Sequence, residues 1–479
     1  MPARSTTATR EYEARAYIGG DFEEPVSDWI PVLDKSTGIP FAAYTDSTAD
    51  QVDRAVRAAR IAQRQWAATS AMERSELLRA FAFELGRRHD ELIALIIRET
   101  GGTTEKAEEE LGQSINQLLN SATQVTENAG AILPPYKEGK ISLSRAVPLG
   151  VIGLIVPWNY PMSLAMRALA PGLAYGNAVV LKPAELTPIA GGQILAEAAR
   201  AAGFPPGVFA VVPGDGPTTG RVLSEHPDLD LIHFTGSFEV GHQIANFAAK
   251  SFRAVATELG GDNAFVVLDD ANIDQAASAA VWAALWYQGQ TCISAGRHIV
   301  ARSVADAFTD AVVARVEKLT VGDPFSERVN LGPIITATQR DRFHEGLVLP
   351  AIAAGATVAT GATFDGLFYR PTVLTGVTPE MAVFQEEIFG PVMPITVVDS
   401  DAEALELVNR HRTLMNSVFT GDTMRGLAFA EKVKSNEVHV NDAYARHGGE
   451  GQLDGFTHRQ WIGLQTTPIR YPTWAETAR

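Results

Sequence analysis

The stretch VIGLIVPWNYPMSLAMRALAPGLAYGNAVVLKPAE, residues 151–185, contains two short apolar runs, Val151–Val156 and Ala178–Leu181. Runs of this length that are rich in β-branched residues are typical of strands buried on both faces of a sheet. The pattern continues with strand-like runs at Val208–Val212 and Leu231–Phe234 and, most clearly, helical segments at Ile189–Ala202 and Glu239–Phe247. This alternation predicts an α/β fold with a parallel, doubly wound sheet.

A second series of alternating segments follows in the C-terminal half. It begins with a strand-like run at Asn263–Leu268 and continues with a helix over about Asn272–Tyr287. Further strand-like runs lie at His298–Val300 and Val392–Val398. We therefore expect a second α/β domain.

The first hundred residues are predicted to be largely helical. One amphipathic helix covers Ala49–Ala68 and another covers about His89–Thr100. Between them, Ser70 and Glu73 have the spacing of a capping box, which predicts the start of a helix. The apolar residues of that helix are Leu77, Leu78, Phe81, Phe83 and Leu85.

Two segments are expected to project from these domains. Lys140–Val147 begins with alternating polar and apolar residues, which predicts a half-exposed strand in a hairpin. The C-terminal tail is rich in Thr, Trp, Tyr and Pro, a composition typical of an edge strand or a partner-facing arm.

Composition and charge exclude several classes of protein. The 479 residues are 46% hydrophobic and 20% charged, which is typical of a folded chain. The net charge of −16 is opposite in sign to that of a nucleic-acid binder. The longest apolar run, Val147–Trp158, is too short to span a bilayer, and Met1–Tyr17 lacks the apolar region of a signal peptide. These features predict a cytoplasmic protein without nucleic-acid or membrane partners.

The single cysteine, Cys292, rules out an intramolecular disulfide and a Cys-ligated structural metal site. The histidines show no HExxH spacing, so no metal is expected. Cys292 lies in Gly-Gln-Thr-Cys-Ile just after a predicted helix, where free backbone N–H groups could stabilise an oxyanion formed by thiolate attack on a carbonyl. The alternative is an inert buried cysteine.

Glu258 lies between an apolar run and two glycines in Thr-Glu-Leu-Gly-Gly, and this setting suits a general base. The alternative is a surface glutamate at the end of a strand. Asn159, in Pro-Trp-Asn-Tyr-Pro, is a candidate donor to an oxyanion. The alternative for this motif is a rigid turn.

Two further turns could hold a nucleotide. Phe234-Thr-Gly-Ser237 lies at a strand-to-helix turn that favours phosphate, although it is not the GxGxxG pattern. Gly214-Asp215-Gly216 with Gly220 misses that spacing by one residue. Lys182-Pro-Ala-Glu185 could hold ribose hydroxyls, because a carboxylate accepts two hydrogen bonds from a diol and repels a 2′-phosphate. The alternative for this segment is a loop with a solvated ion pair.

Taken together, six motifs resemble the NAD(P)-dependent aldehyde dehydrogenase superfamily, and the resemblance runs from about residue 17 to about 445 and then intermittently to the end. They are PWNYP (157–161), KPAE (182–185), FTGS (234–237), ELGG (258–261), GQTC (289–292) and EEIFGPV (386–392). The resemblance implies that Cys292 is the nucleophile, that Asn159 and the Cys292 N–H stabilise the oxyanion, and that Glu258 activates the hydrolytic water. It also implies NAD as cofactor, with NADP possible, and an aldehyde as substrate.

By the same resemblance, the cofactor contacts are Pro157, Trp158, Lys182, Glu185, Gly214, Phe234, Thr235, Gly236, Ser237, Leu259, Glu387 and Phe389. Candidate substrate contacts are Tyr160, Arg167, Trp286 and Tyr287. The run Met166–Pro171 resembles the benzaldehyde, vanillin and salicylaldehyde branch, which favours an aromatic or hydrophobic aldehyde. For Arg167, a salt bridge on its helix is the alternative to a pocket role.

The resemblance implies two doubly wound Rossmann-like domains and a small β oligomerisation arm. The expected boundaries are 1–130 and 149–258 for the NAD-binding domain, 259–454 for the catalytic domain, and 131–148 and 455–479 for the arm. Through that arm a homodimer or homotetramer is expected.

The chain also departs from the family at two places. Arg412-Thr413-Leu414 replaces the usual Tyr-Gly-Leu, and the segment after Asp442 is shortened to little more than Gly448-Gly449-Glu450-Gly451. The shortening keeps two alternatives open, a catalytically impaired binding protein of this fold and a Cys292-dependent esterase or acyl transferase.

Overall fold

The computed structural model describes residues 10–127, 130–135, 138–443 and 455–465. Its strands are β1 Tyr12–Ala14, β2 Tyr17–Ile18, β3 Asp21–Phe22, β4 Ile30–Leu33, β5 Pro40–Tyr44, β6 Gly130–Leu133, β7 Lys140–Pro148, β8 Val151–Ile155, β9 Ala178–Lys182, β10 Phe209–Val211, β11 Leu231–Gly236, β12 Ala254–Leu259, β13 Asn263–Val267, β14 Ala295–Ala301, β15 Thr357–Thr360, β16 Phe364–Asp365, β17 Phe368–Tyr369, β18 Thr372–Thr375, β19 Val392–Val398, β20 Thr413–Phe419, β21 Ser435–Val440 and β22 Thr457–Gln465.

The α-helices are α1 Ala49–Ala68, α2 Ala71–Arg87, α3 His89–Thr100, α4 Thr104–Gln124, α5 Pro161–Ala174, α6 Ile194–Ala201, α7 Arg221–Glu225, α8 Phe238–Ala249, α9 Ile273–Leu285, α10 Arg302–Val316, α11 Ala337–Phe343, α12 Leu349–Ala353, α13 Ala382–Gln385, α14 Asp401–Asn409 and α15 Thr423–Ala430. Single π-helical turns span Ile189–Gln193, Gly216–Gly220 and His344–Val348, and a 3₁₀ turn spans Trp286–Gly289. No helix in these described ranges is both long and apolar enough to cross a membrane.

The first large sheet has seven strands in the order β12-β11-β8-β9-β10-β2-β3. The five strands from β12 to β10 run parallel, and every residue of β8 and β9 is buried. From β8 the chain first adds β9 and β10 on one side and then β11 and β12 on the other. The order therefore reverses between β8 and β11, and ligands bind at the carboxyl ends of strands at such a switch point.

The second large sheet also has seven strands, in the order β15-β18-β19-β14-β13-β20-β21, with only the β15 pair antiparallel. Its link to the first sheet is short, because only Gly260–Asp262 separate the end of β12 from the start of β13. The carboxyl edge of the first sheet therefore faces the amino edge of the second, and a cleft lies between them.

A third sheet, ordered β22-β7-β6, stands apart from these two. β7 and β22 pair antiparallel over nine residues, from Thr457 opposite Pro148 to Gln465 opposite Lys140. This three-stranded sheet corresponds to the predicted hairpin and part of the predicted C-terminal arm. The rest of the tail, 466–479, and the shortened segment 444–454 lie outside the described residues.

Local sequence explains most helix boundaries. The predicted α1 begins and ends where expected, and a full capping box between Thr48 and Gln51 starts it. Ser70 accepts a hydrogen bond from the Glu73 N–H and starts α2. Phe83, one of the apolar residues of that helix, is 67% exposed because it lies off the apolar stripe of α2 that packs into the core.

Two other predicted helices differ at their ends. Ile189–Ala202 begins as a π turn before α6, because the buried Glu99 carboxylate accepts hydrogen bonds from the N–H groups of Ile189 and Ala190. The helix expected to reach Tyr287 ends at Leu285, where the backbone turns into left-handed conformations.

Candidate active site

The cleft between the two large sheets gathers the predicted site residues along its two edges. Pro157, Trp158 and Asn159 follow β8, Gly236 and Ser237 end and follow β11, and Glu258 and Leu259 end β12. From the other side, Cys292 precedes β14, and Glu387 and Phe389 precede β19. Lys182, Glu185 and Gly214 lie further along the carboxyl edge, at the end of β9 and after β9 and β10.

The turn before Cys292 is strained. Tyr287 and Gln288 have φ angles of 51° and 56°, and Gly289 follows at 68°. The Gln288 side chain fastens this turn by donating hydrogen bonds of 2.9 Å to the carbonyls of Gly101 and Pro333. A Cβ on Gly289 would lie 2.3 Å from the Gly390 carbonyl oxygen, so only glycine fits there. Strain of this kind persists where surrounding contacts impose it, and here it fixes the approach to the thiol.

Cys292 itself is held through its backbone and is electrostatically unfavourable as a thiolate. The Asn263 side chain donates to the carbonyls of Cys292 and Ser294 at 2.8 and 3.0 Å. Burial, reinforced by the negative charge of Glu387, raises the pKa of Cys292 to about 11, whereas the nearby Arg167 guanidinium acts to lower it. The resting group is therefore a protonated thiol at neutral pH.

Asn159 is buried and reaches the same loop. Its Nδ2 donates a hydrogen bond of 3.0 Å to the carbonyl of Gln290, two residues before Cys292. Because an amide nitrogen carries two hydrogens, one remains for another acceptor. The buried Oδ1 has no partner among the described residues. The Asn159 amide is therefore tethered near the cysteine, with one Nδ2 hydrogen available to a ligand.

Arg167 fits both alternatives from the sequence, a salt bridge and a position at the site. It lies on α5, and its Nη2 is 3.7 Å from Glu258 Oε2, so it does form a salt bridge. The partner, however, is the candidate general base, and both side chains are only partly exposed. Arg167 therefore lies at the site and carries charge toward both Glu258 and Cys292.

The nicotinamide-side candidates meet across the cleft. The rings of Trp158 and Phe389 are 5.5 Å apart and nearly perpendicular, at 84°. Glu387 packs against Gly260, where a Cβ would lie 2.4 Å from its Oε1, and this oxygen has no hydrogen-bond partner in the described chain. Burial raises the pKa of Glu387 to about 7.

The phosphate- and adenosine-side candidates lie along the carboxyl edge of the first sheet. Ser237 caps α8 by accepting from the Val240 N–H, and the buried Thr235 Oγ1 nearby lacks a partner among the described residues. Lys182 Nζ lies 3.5 Å from Glu185 Oε2, and burial lowers the pKa of that lysine. Gly214 has a φ of 149° and admits no Cβ, because Thr219 Oγ1 would lie 2.1 Å away. Phe234 and Leu259 pack near Gly241 at the start of α8.

These features fit a dinucleotide. Two buried polar atoms lack partners among the described residues: Thr235 Oγ1 on the first-sheet side of the cleft and Glu387 Oε1 on the second-sheet side. Glycines allow close approach of the backbone, and the N-terminus of α8 offers N–H groups to phosphate.

Comparison with known proteins decides the family. The sequence model of the aldehyde dehydrogenase family matches residues 22–457. The chain belongs to the aldehyde dehydrogenase family. It is 39% identical to benzaldehyde dehydrogenase (NAD+) of Pseudomonas putida, over 93% of this chain and 96% of that protein. It is 37% identical to vanillin dehydrogenase of an Amycolatopsis species, over 95% and 97% of the two chains.

The fold agrees with solved members of the family. The crystal structure of an NAD-dependent benzaldehyde dehydrogenase from Corynebacterium glutamicum superposes with a TM-score of 0.88 at 37% identity, over 94% of this chain and 98% of that one. Other structures of this fold hold NAD+ or NADP. The protein is thus an NAD(P)-dependent aldehyde dehydrogenase with two Rossmann-like domains, which confirms the predicted family, fold, enzyme class and cofactor.

The aromatic candidates of this aldehyde dehydrogenase form one block, in which Tyr160 and Tyr287 are buried and Trp286 is half-buried. Trp286 Nε1 donates to the Tyr160 hydroxyl at 2.8 Å, and the rings of Tyr160 and Tyr287 meet edge to face at 5.6 Å. Beneath them lies a residue that the sequence did not reveal: Lys106 Nζ is 4.4 Å from the Tyr160 ring centre and 4.5 Å from that of Tyr287. The aromatic rings thus share a buried cation.

Glu110 completes this block. Its carboxylate pairs with Lys106, both side chains being fully buried, and its Oε1 accepts a hydrogen bond of 2.8 Å from the Met162 N–H at the start of α5. The pair therefore braces the helix that carries Arg167 and the turn that carries Asn159. In sequence, Lys106 and Glu110 belong to a charged, helix-forming run, and only their i, i+4 spacing hints that they interact.

Proposed function

We propose that this aldehyde dehydrogenase oxidises aromatic aldehydes to carboxylic acids with NAD, using Cys292 as the nucleophile. The observation that carries the proposal is the position of the only thiol, which follows a strained turn and lies close to a tethered amide, Asn159, and a carboxylate, Glu258. The similarity to benzaldehyde and vanillin dehydrogenases supports the aromatic substrate class.

The residues have separate tasks in the proposed reaction. The Cys292 thiol first loses its proton to water, and the thiolate then attacks the aldehyde carbon. The developing oxyanion accepts hydrogen bonds from the free hydrogen of Asn159 Nδ2 and from the Cys292 N–H. Bound NAD supplies the hydride acceptor. Glu258 then removes a proton from the water that cleaves the thioester, and the carboxylic acid leaves.

Arg167 is proposed to act on both substrate and base. Its guanidinium can stack on an aromatic ring or hydrogen-bond a ring substituent, in keeping with the planar contacts that arginine favours. Its ion pair with Glu258, 3.7 Å long, also orients that carboxylate. Tyr160, Trp286 and Tyr287 supply the aromatic wall of the pocket.

NAD is proposed as the preferred cofactor. Lys182 and Glu185 are suited to the adenosine ribose, where the Glu185 carboxylate accepts from the hydroxyls and repels a 2′-phosphate. Gly214, Phe234, Thr235, Gly236 and Ser237 would border the adenosine and pyrophosphate. The nicotinamide side would be bordered by Pro157, Trp158, Leu259, Glu387 and Phe389.

The test is the absorbance of reduced nicotinamide when purified protein receives NAD or NADP with benzaldehydes, long-chain aldehydes or short semialdehydes. We expect turnover that prefers aromatic aldehydes and NAD and that disappears in Cys292→Ala, which still binds NAD. Preference for aliphatic aldehydes would overturn the substrate class. Ester hydrolysis without any nicotinamide requirement would favour acyl transfer, and NAD binding without turnover would favour an impaired enzyme.

We further propose that the chain forms a homodimer or homotetramer through the β6-β7-β22 sheet, which forms an arm beside an NAD-binding domain and a catalytic domain. Large apolar side chains on that sheet are exposed, namely Ile132, Trp461 and Leu464. Covering a sheet edge and such side chains is a common reason for assembly. Light scattering during size-exclusion chromatography tests this, and a monomer at micromolar concentration would contradict it.

A further inference from the structure

Arg412 lies at the edge of the cleft, immediately before β20. Its backbone is fixed against the segment that joins the two sheets, because the Asp262 N–H donates to the Arg412 carbonyl at 3.1 Å. The same segment is closely packed, since a Cβ on Gly261 would lie 3.2 Å from that carbonyl oxygen. The backbone position of Arg412 is therefore fixed by the Gly260–Asp262 link between the two sheets.

The Arg412 side chain crosses the cleft. Its guanidinium carbon lies 4.5 Å above the ring centre of Phe238, the first residue of α8. Phe238 directly follows Ser237, the residue that caps this helix. A cation from the second sheet is thereby held at the helix N-terminus of the first.

No salt bridge to Arg412 occurs among the described residues, although Arg410, two positions earlier, pairs with Glu406 at 2.7 Å. Arg412 is exposed, and no acidic side chain of the described residues neutralises its charge. The buried Thr235 Oγ1, at the end of the strand that leads into α8, is a polar atom that also lacks a partner in the described chain. Together they indicate an anionic ligand that accepts hydrogen bonds at this point.

We propose that Arg412 binds the pyrophosphate of the nicotinamide dinucleotide, with Phe238 holding the guanidinium over the N-terminus of α8. A pyrophosphate bridge carries two negative charges, and a helix N-terminus supplies only about half of one positive charge. A guanidinium supplies a full charge and paired N–H donors that match phosphate oxygens. This inference rests on the proposed use of NAD. It gives the second domain a contact with the pyrophosphate, which the first domain otherwise holds.

The test compares Arg412→Gln with the matched control Arg410→Gln by fluorescence titration of NADH at low and moderate salt. We expect Arg412→Gln to raise the Kd of NADH about tenfold at low salt and to reduce its salt dependence, while Arg410→Gln stays within twofold of wild type. ADP-ribose, which retains the pyrophosphate, should weaken by the same factor, whereas adenosine should bind both variants and wild type alike. Phe238→Leu, which keeps the charge and loses the stacking, should give a smaller loss.

The outcomes separate the possibilities. An unchanged NADH Kd in Arg412→Gln, or an equal loss for adenosine, would overturn the inference. A loss confined to NADPH would overturn it too, because it would place Arg412 at a 2′-phosphate. If wild type binds no NADH, both this inference and the proposed function fail, whereas normal wild-type binding with an unaffected variant overturns the inference alone.

Discussion

The reactivity of Cys292 toward a small alkylating agent should depend steeply on pH. Burial and Glu387 raise the pKa of this thiol from its ordinary value of 9.0 to about 11. At pH 8 the thiolate fraction is then about one in a thousand, against about one in ten for an ordinary cysteine. The more basic thiolate is roughly tenfold more nucleophilic, which offsets part of this difference. The net expectation is alkylation about tenfold slower than that of an exposed cysteine.

The assay is straightforward because Cys292 is the only cysteine in the chain. Mass spectrometry after iodoacetamide treatment gives the rate constant at each pH, and it should rise about tenfold per pH unit from 7 to 10. Glu387→Gln should speed alkylation above pH 7, where the buried carboxyl, with a pKa of about 7, is ionised and repels the thiolate. Arg167→Met should slow it. A plateau below pH 9, or slower alkylation in Glu387→Gln, would refute the electrostatic argument.

Three further outcomes are expected. Glu258→Gln should release a stoichiometric burst of NADH in stopped flow and then turn over slowly, because acylation is spared and hydrolysis is not; a lost burst would contradict the assignment. Arg167→Leu should lower kcat/KM for benzaldehyde about tenfold relative to hexanal, and an equal loss for both substrates would remove its role in selectivity. Glu110→Ala should lower the free energy of unfolding in urea by about 3–5 kcal/mol, because it removes the carboxylate partner of the fully buried Lys106; Glu108→Ala, at an exposed position of the same helix, is the control.

The sequence predicted the parts of the fold that depend on local periodicity. The boundaries of α1, α3 and β19 agree with the expected segments, because each contains an uninterrupted helical or strand pattern with clear flanking residues. The sequence shows that Phe83 belongs to an apolar helix, but its exposure is visible only once the packing partners of α2 are known. The early end of α9 depends on Gln288 contacts with distant carbonyls, which no local pattern contains.

The candidate site shows the same division. The sequence motifs indicated Cys292, Glu258 and Asn159 as candidate catalytic residues. The structure brings all three to one cleft, and their catalytic roles stay predictions. Lys106 and Glu110 escaped notice because their charges suggest a solvated helix face, and only the tertiary fold buries them beneath the aromatic block. The Arg412–Phe238 contact joins residues far apart in the chain, so it too required the structure.

The pairing of β7 with β22 has a consequence for how the chain is made. The two strands are separated by about 300 residues, so β7 leaves the ribosome long before its partner exists. At roughly 5–20 residues per second, one side of β7 stays unpaired for roughly 15 to 60 s. During that interval the hairpin of β6 and β7 is open to a strand from a neighbouring nascent chain. Translation speed over the second half of the message therefore sets how long each new polypeptide is exposed to mispairing.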